Sequence, residues 1–97
     1  MYKMEEKEGK KVFNFQGRMD TSACSGIENE VAGQVEKAGQ PVVFDLTGVD
    51  FVSSAFLRLC ISAAKKTGPG KFQVANASPQ IKKVFKIAGM DQFLSVQ

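Results

Sequence analysis

The 97-residue chain contains no histidine and no tryptophan, one tyrosine, two cysteines and three prolines. The missing histidine removes Ser-His-Asp and Cys-His catalysis, histidine-containing zinc sites and phosphohistidine relays together. Cys24 and Cys60 have no CxxC spacing and are too few for a four-cysteine metal site. Each falls on an expected helix, so both are expected to be free buried thiols in a reducing cytoplasm. No cofactor or metal site is read. No apolar run approaches the roughly 20 residues that span a bilayer, and no signal-peptide core opens the chain. Charge of one sign is lacking as well, since 13 basic and 10 acidic residues leave a net +3. Even the lysine-rich start, Lys3 to Lys11, is interleaved with Glu5, Glu6 and Glu8. That is the pattern of a solvated face, not of a nucleic-acid footprint. A serine-hydrolase Gly-x-Ser-x-Gly elbow and the acidic pair of a receiver domain are both missing, which argues against an enzyme.

What is present describes one soluble domain spanning residues 1–97. The composition is 43% hydrophobic and 24% charged. A chain of this size buries roughly 60–70% of its unfolded surface, enough for a single modest core.

Tyr2 to Glu6 reads as a short strand, with Glu8-Gly9 as a turn. Lys11 to Gln16 alternates, placing Phe13 and Phe15 on one side and Val12, Asn14 and Gln16 on the other. Asp20, Thr21 and Ser22 compete to cap a helix running to about Lys37, with Ile27, Val31, Val35 and Ala38 inward and Gly39 at its end. Pro41 opens a nearly all-apolar strand, Val42 to Leu46, and Asp45 within it and Thr47-Gly48 after it are read as turn formers. A second helix is expected from about Ser54 to Lys66, with Leu57, Ile61 and Ala64 inward and Gly68-Pro69-Gly70 as its stop. Lys71 to Ala75 alternates again. Ser78-Pro79 is an N-cap followed by proline at the first helical position. Ile81, Val84, Phe85 and Ala88 then form the stripe of a third helix closed by Gly89. The last apolar piece, Phe93 to Val96, is an edge strand or a helical turn. Met19 and Met90 are taken as packing residues.

The order is a hairpin followed by αβαβα, which implies parallel pairing and right-handed crossovers. A doubly wound sheet would need strands apolar on both sides, yet two of these keep a polar side. The expected fold class is therefore α/β: a small mixed sheet of four to five strands with helices mainly on one face.

Function concentrates in Pro41-Val-Val-Phe-Asp45-Leu-Thr-Gly-Val-Asp50-Phe-Val-Ser-Ser-Ala-Phe-Leu-Arg58. A strand, a polar turn and a helix opening on two serines place small hydroxyls where backbone N–H groups point outward and the helix dipole is positive. Such a place caps a helix, binds an anion, or carries a covalent phosphate.

The segment Asp45 to Arg58 resembles the signature of STAS domains, particularly the bacterial anti-sigma factor antagonists. Phe15-Gln-Gly17-Arg-Met-Asp20 resembles that family's exit from the second strand. Ser78-Pro79 through Gly89-Met-Asp-Gln-Phe93 resembles its third helix and the glycine after it. Many members carry a further helix beyond the point where this sequence stops. The resemblance implies a βαβ superhelix with helices stacked on one side, no enzymatic activity and no cofactor. It further implies a cytoplasmic protein, monomer or weak dimer, that binds an anti-sigma factor serine kinase of the ATPase fold. That kinase phosphorylates a serine at the start of the second helix, and a PP2C-type phosphatase resets it. Neither nucleic acid nor membrane is a partner.

The match has departures. Aligned on Leu57, the family's acceptor hydroxyl is Ala55, its glycine is Phe56 and its aspartate is Ser53. In the Ser-Ser-Ala variant the preceding serine is the natural acceptor, so the expected phosphorylation site is Ser54, with Ser53 second. Asp20, Asp50, Ser53, Ser54, Phe56 and Arg58 are the expected partner-binding residues, Phe56 being either an exposed anchor or a ring turned into the core. Ala55 and Phe56 also motivate a rival: a constitutive, unphosphorylated interaction module, as in a stressosome-like complex or a transporter accessory subunit.

Overall fold

A computed structural model describes residues 2–90, 95 and 96. Strands β1 (Tyr2–Lys7) and β2 (Lys10–Met19) form the hairpin, followed by α1 (Thr21–Lys37) and β3 (Val42–Val52). Helix α2 (Ser54–Thr67), strand β4 (Phe72–Ala75), helix α3 (Pro79–Ile87) and strand β5 (Ser95–Val96) complete the order. Spatial order in the sheet equals chain order, with β1 antiparallel to β2 and every later pair parallel. Crossovers that step the same way along a sheet with the usual right hand put their helices on one face. Of the Phe93 to Val96 piece, Phe93 and Leu94 lie outside the described residues, as do Asp91 and Gln92; Ser95 and Val96 form the edge strand.

The hairpin turn is two residues long, joining Lys7 to its partner Lys10, with φ of 54° at Glu8 and 77° at Gly9. Positive φ at both positions defines the type I′ turn whose twist matches that of the flanking strands.

Rings dominate the core. Phe13, Phe15, Phe44 and Phe56 are fully buried. Phe44 meets Phe15 and Phe72 edge-on, both with centroids 4.9 Å apart, and Phe15 meets Phe56 at 5.2 Å and 87°. Edge-to-face pairs of this kind are each worth about 0.5–1.5 kcal/mol beyond their area burial. Across the sheet, Val12 and Val43 are buried outside this cluster, beside half-buried Asn14 and Asp45.

Strand β3 corrects the sequence reading most. It continues through the expected turn, because Thr47 donates to the Asp45 carboxylate from its N–H at 2.9 Å and from its hydroxyl at 2.6 Å. The local kink is thereby satisfied within the strand. Pairing with β2 runs Asn14–Asp45, Gln16–Gly48, Gly17–Val49 and Arg18–Phe51, so β3 carries two extra residues. Each extra residue is a β-bulge that shifts the alternation by one. Inward residues therefore step by two from Val42 to Phe44 to Leu46, then by three to Val49 and Val52. At Gly48 a Cβ would lie 3.2 Å from Gln16 Cγ, tight contact that the glycine avoids.

Helix α2 is also phased differently from expectation. Phe56, Leu59, Cys60 and Ala63 are buried, while Leu57 is half-buried and Ile61 is 37% exposed. The Phe56 ring fills the space over Phe15 and Phe44, which turns the helix by about one residue. In α3, Ile81 and Phe85 are buried, whereas Val84 and Ala88 face outward. Helix α1 buries Ile27, Val31 and Val35 as expected and adds Cys24; Ala38 is its half-buried C-cap. Cys24 and Cys60 are both free and buried.

Tyr2 ties the first strand to the first helix. Its hydroxyl donates a hydrogen bond to the Glu30 carboxylate. Burial, that hydrogen bond and the Glu30 charge together raise the phenol to about 12. A folded-state value raised above 10 contributes stability that is complete below pH 10 and lost as pH rises through about 12. Tyr2→Phe is expected to cost about 1 kcal/mol at neutral pH. Urea denaturation between pH 9 and 12 should show the difference between the two proteins shrinking as pH rises; a constant difference would refute the coupling.

Candidate functional site at the paired helix mouths

In a parallel sheet, the carboxyl ends of the strands feed the amino ends of the helices, and binding sites gather there. Here the ends of β2 and β3 are fastened to each other: the Ser53 N–H donates to the Met19 carbonyl at 3.0 Å. The two chains leave the sheet side by side and each begins a helix with a side-chain cap.

Asp20 caps α1. Its backbone is extended, and Oδ1 accepts from the Ala23 N–H at 2.9 Å. Ser53 caps α2, with an extended backbone and Oγ accepting from the Phe56 N–H at 3.4 Å. Such caps satisfy one of the backbone donors a helix start leaves open. Ser53 is half-buried and close enough to the Cys24 thiol to favour its ionisation. Ser54, the first residue of α2, is exposed, and so is Arg58 one turn later. The two serines thus divide the work, one hydroxyl capping and the next facing solvent.

Cys24 reports on the surroundings. Burial pushes its thiol up, with the charges of Asp20 and Glu28 adding to that and the Ser53 hydrogen bond and Arg58 opposing it. Asp20, Glu28, Ser53 and Arg58 therefore share one neighbourhood around this sulfur. Its Sγ also lies 3.8 Å from the Met19 carbonyl. Cys60 is fully buried, and burial raises it well above the usual thiol range. Neither thiol has the electropositive, accessible setting of a reactive cysteine.

Phe56 is a correction. Its side chain is fully buried against Phe15 and Phe44, so it offers no surface to a partner. The bulky ring in place of the family glycine is accommodated by the core. Asp50 is exposed and is the extra residue of the second bulge. Asp45, read as a turn former, sits within β3. Burial opposes its ionisation, but hydrogen bonds from Thr47 and Asn76 and the charge of Lys7 outweigh that and hold its carboxyl below the usual range. The Asn76 amide donates to it at 3.1 Å.

Two residues at the mouth escaped the sequence reading. Arg18 lies with its guanidinium carbon 3.9 Å from the centroid of the Phe51 ring, and its Nε is 3.8 Å from Asp20 Oδ2. Cation–π contact and ion pair together hold this arginine along the rim. The two are opposite in register only because of the bulges. The available signal was rarity, since Arg18 and Arg58 are the only arginines in the chain.

A family model for the STAS domain matches residues 1–97. The candidate anti-sigma factor antagonist BtrV of Bordetella bronchiseptica is 33% identical over 95 residues, covering 96% of this chain and 79% of that protein. An anti-sigma factor antagonist from Mycobacterium paratuberculosis superposes with a TM-score of 0.87 at 22% identity, covering 99% of this chain and 83% of the other. The Bacillus cell fate determinant SpoIIAA in its phosphorylated form gives 0.72 at 18% identity, covering 100% and 91%. The chain belongs to the STAS domain family, among the anti-sigma factor antagonists.

The division of labour between the serines predicts an order of stabilities. Ser53→Ala should cost about 1 kcal/mol, and Ser54→Ala less than about 0.5 kcal/mol. Phe56→Ala should cost about 3–5 kcal/mol, with Phe56→Leu a milder variant if the alanine protein does not fold. Denaturant midpoints rank them directly; equal losses for the two serines would contradict the capping assignment.

Proposed function

We propose that this protein is an anti-sigma factor antagonist whose grip on an anti-sigma factor with serine kinase activity is released by phosphorylation of Ser54. The observation that carries the reading is the exposed hydroxyl of Ser54 beside a Ser53 hydroxyl already used as a cap. Membership of the family and the antagonist names of its relatives supply the partner class. The contact surface comprises Asp20, Asp50, Ser53, Ser54 and Arg58, to which Arg18 on its Phe51 base is added. Arginine and aromatic groups of this kind are enriched among residues that dominate binding.

The switch is electrostatic. The γ-phosphoryl group of ATP passes to Ser54 Oγ, ADP departs, and the hydroxyl proton is released. The product carries a charge of about −1.5 to −2. Ser54 starts a helix already capped by Ser53, so the phosphate does not need the fold to rearrange. The change is one of sign on a surface formerly neutral at that atom. Binding weakens because the new charge must be desolvated or faces like charge across the interface. A PP2C-type phosphatase returns the hydroxyl. The protein is proposed to act without cofactor or nucleic acid, in the cytoplasm, as a monomer or weak dimer.

Ser54→Asp should weaken binding to the cognate anti-sigma factor about tenfold or more, while Ser54→Ala binds normally and resists labelling. Isothermal titration with both variants, and mass measurement after incubation with kinase and ATP, provide the check. Equal affinity of both variants, with phosphate still added to a Ser53→Ala/Ser54→Ala protein, would refute the switch. One observation favours a constitutive interaction module instead: the aligned acceptor position is Ala55, which has no hydroxyl. Absence of any phosphate gain with the cognate kinase would select that reading.

A further inference from the structure

We infer that Arg58 is the internal receptor for a phosphate on Ser54, so that one modification both adds charge at the helix mouth and withdraws a guanidinium from the partner surface. The inference rests on Ser54 being the phosphoacceptor. It concerns what the phosphate does once attached.

Helix α2 is continuous from Ser54 to Thr67. Residues 54 and 58 are therefore four apart on one face, where Cβ atoms lie about 5–6 Å from each other. Both side chains are exposed. An anion placed four residues before a cation is the favourable order for such a pair, and an anion at position 54 also sits at the positive end of the helix dipole. A phosphate offers three acceptor oxygens, and the planar guanidinium can donate two parallel N–H groups to them.

Arg58 is available for this role and its counterpart is not. Arg18 is committed to the Phe51 ring and to Asp20. Among the described residues the ion pairs join Lys11 to Glu6, Arg18 to Asp20 and Lys66 to Glu36, leaving Arg58 without a carboxylate in range. The lysines of α2, Lys65 and Lys66, lie in its last turn. No acidic residue occupies the first turn of α2, so no resident carboxylate competes for the position. Other charges near this mouth are Asp20, which caps α1, Glu28 on α1 and Arg18 on β2. The acidic ones oppose the phosphate and sharpen the need for a local cation.

The consequence is a switch with two parts. An arginine that an acidic group of the partner can use before phosphorylation is folded back onto its own helix afterward. An aspartate at position 54 is too short and lacks the third oxygen, so Ser54→Asp reproduces the added charge without the withdrawn arginine.

The test installs phosphoserine at position 54 of the full chain during translation, in proteins carrying Arg58, Arg58→Lys or Arg58→Ala. The readouts are the phosphorus NMR titration of the phosphate and thermal unfolding of the phosphorylated and unphosphorylated forms. With Arg58 present, the second phosphate ionisation should fall below its value in the same chain unfolded in urea. Arg58→Ala should raise it by about half a pH unit, with lysine in between. A value depressed in the folded state contributes stability present above about pH 6 and lost on acidification below it. Arg58→Ala should accordingly lower the melting temperature of the phosphorylated protein more than that of the unphosphorylated one. Superimposable titrations for the Arg58 and Arg58→Ala proteins, with additive melting shifts, would overturn the inference. If coupling is seen but the phosphorylated protein still binds the anti-sigma factor normally, this inference stands while the proposed function falls.

Discussion

The structure depends on the parallel pairing of β2 with β3. That pairing continues through two bulges and ends with the Ser53 N–H on the Met19 carbonyl. It sets which side of β3 faces the helices, and so which residues build the aromatic core. It also fixes where α1 and α2 begin relative to each other. Two helix caps, Asp20 and Ser53, stand together because the strands that deliver them are hydrogen-bonded to their last residues. A site assembled this way is preorganised by backbone bonds: both helix starts are held in place before anything binds there.

Core and site meet at Phe56. Its N–H is the donor that Ser53 accepts, while its ring closes the cluster around Phe15 and Phe44. Packing of one side chain thus orients the first turn of α2 and turns Ser54 outward. The one-sided arrangement of helices leaves the opposite sheet face to Val12, Val43 and the polar groups around them, and those polar groups satisfy one another. Asn14 donates to Glu5 at 2.8 Å, and Asp45 gathers Thr47 and Asn76.

Much of this was legible in the sequence, and the failures have physical causes. The hairpin, the three helices, their order and the one-sided architecture followed from alternation, caps and the polar sides of two strands. Ser78 is a cap by residue type and position, while Asp20 competes with Thr21 and Ser22, and Ser53 with Ser54; the structure uses Asp20, Ser53 and Ser78. What failed was anything that needed register. Asp45-Leu-Thr-Gly has turn chemistry, and only pairing with β2 reveals that the turn chemistry serves a bulge. The inward face of α2 was misjudged because Leu57, Ile61 and Ala64 make as regular a stripe as Phe56, Cys60 and Ala63. The ring-shaped gap in the core decides between them. Arg18 against Phe51 was invisible for the same reason, since their sequence positions do not oppose until two extra residues are counted.

The bulged half of β3 has a consequence for how this protein can vary. Connections into helix mouths are ordinarily where chains gain and lose residues freely. Here the segment from Leu46 to Val52 keeps Val49 and Val52 inward only because it holds two residues more than its neighbour. Removing one would flip the remaining side chains to the opposite side of the sheet. The stretch that looks most like a loop is therefore the part of the molecule whose length is least free to drift, and related proteins should differ there by substitution and not by insertion or deletion.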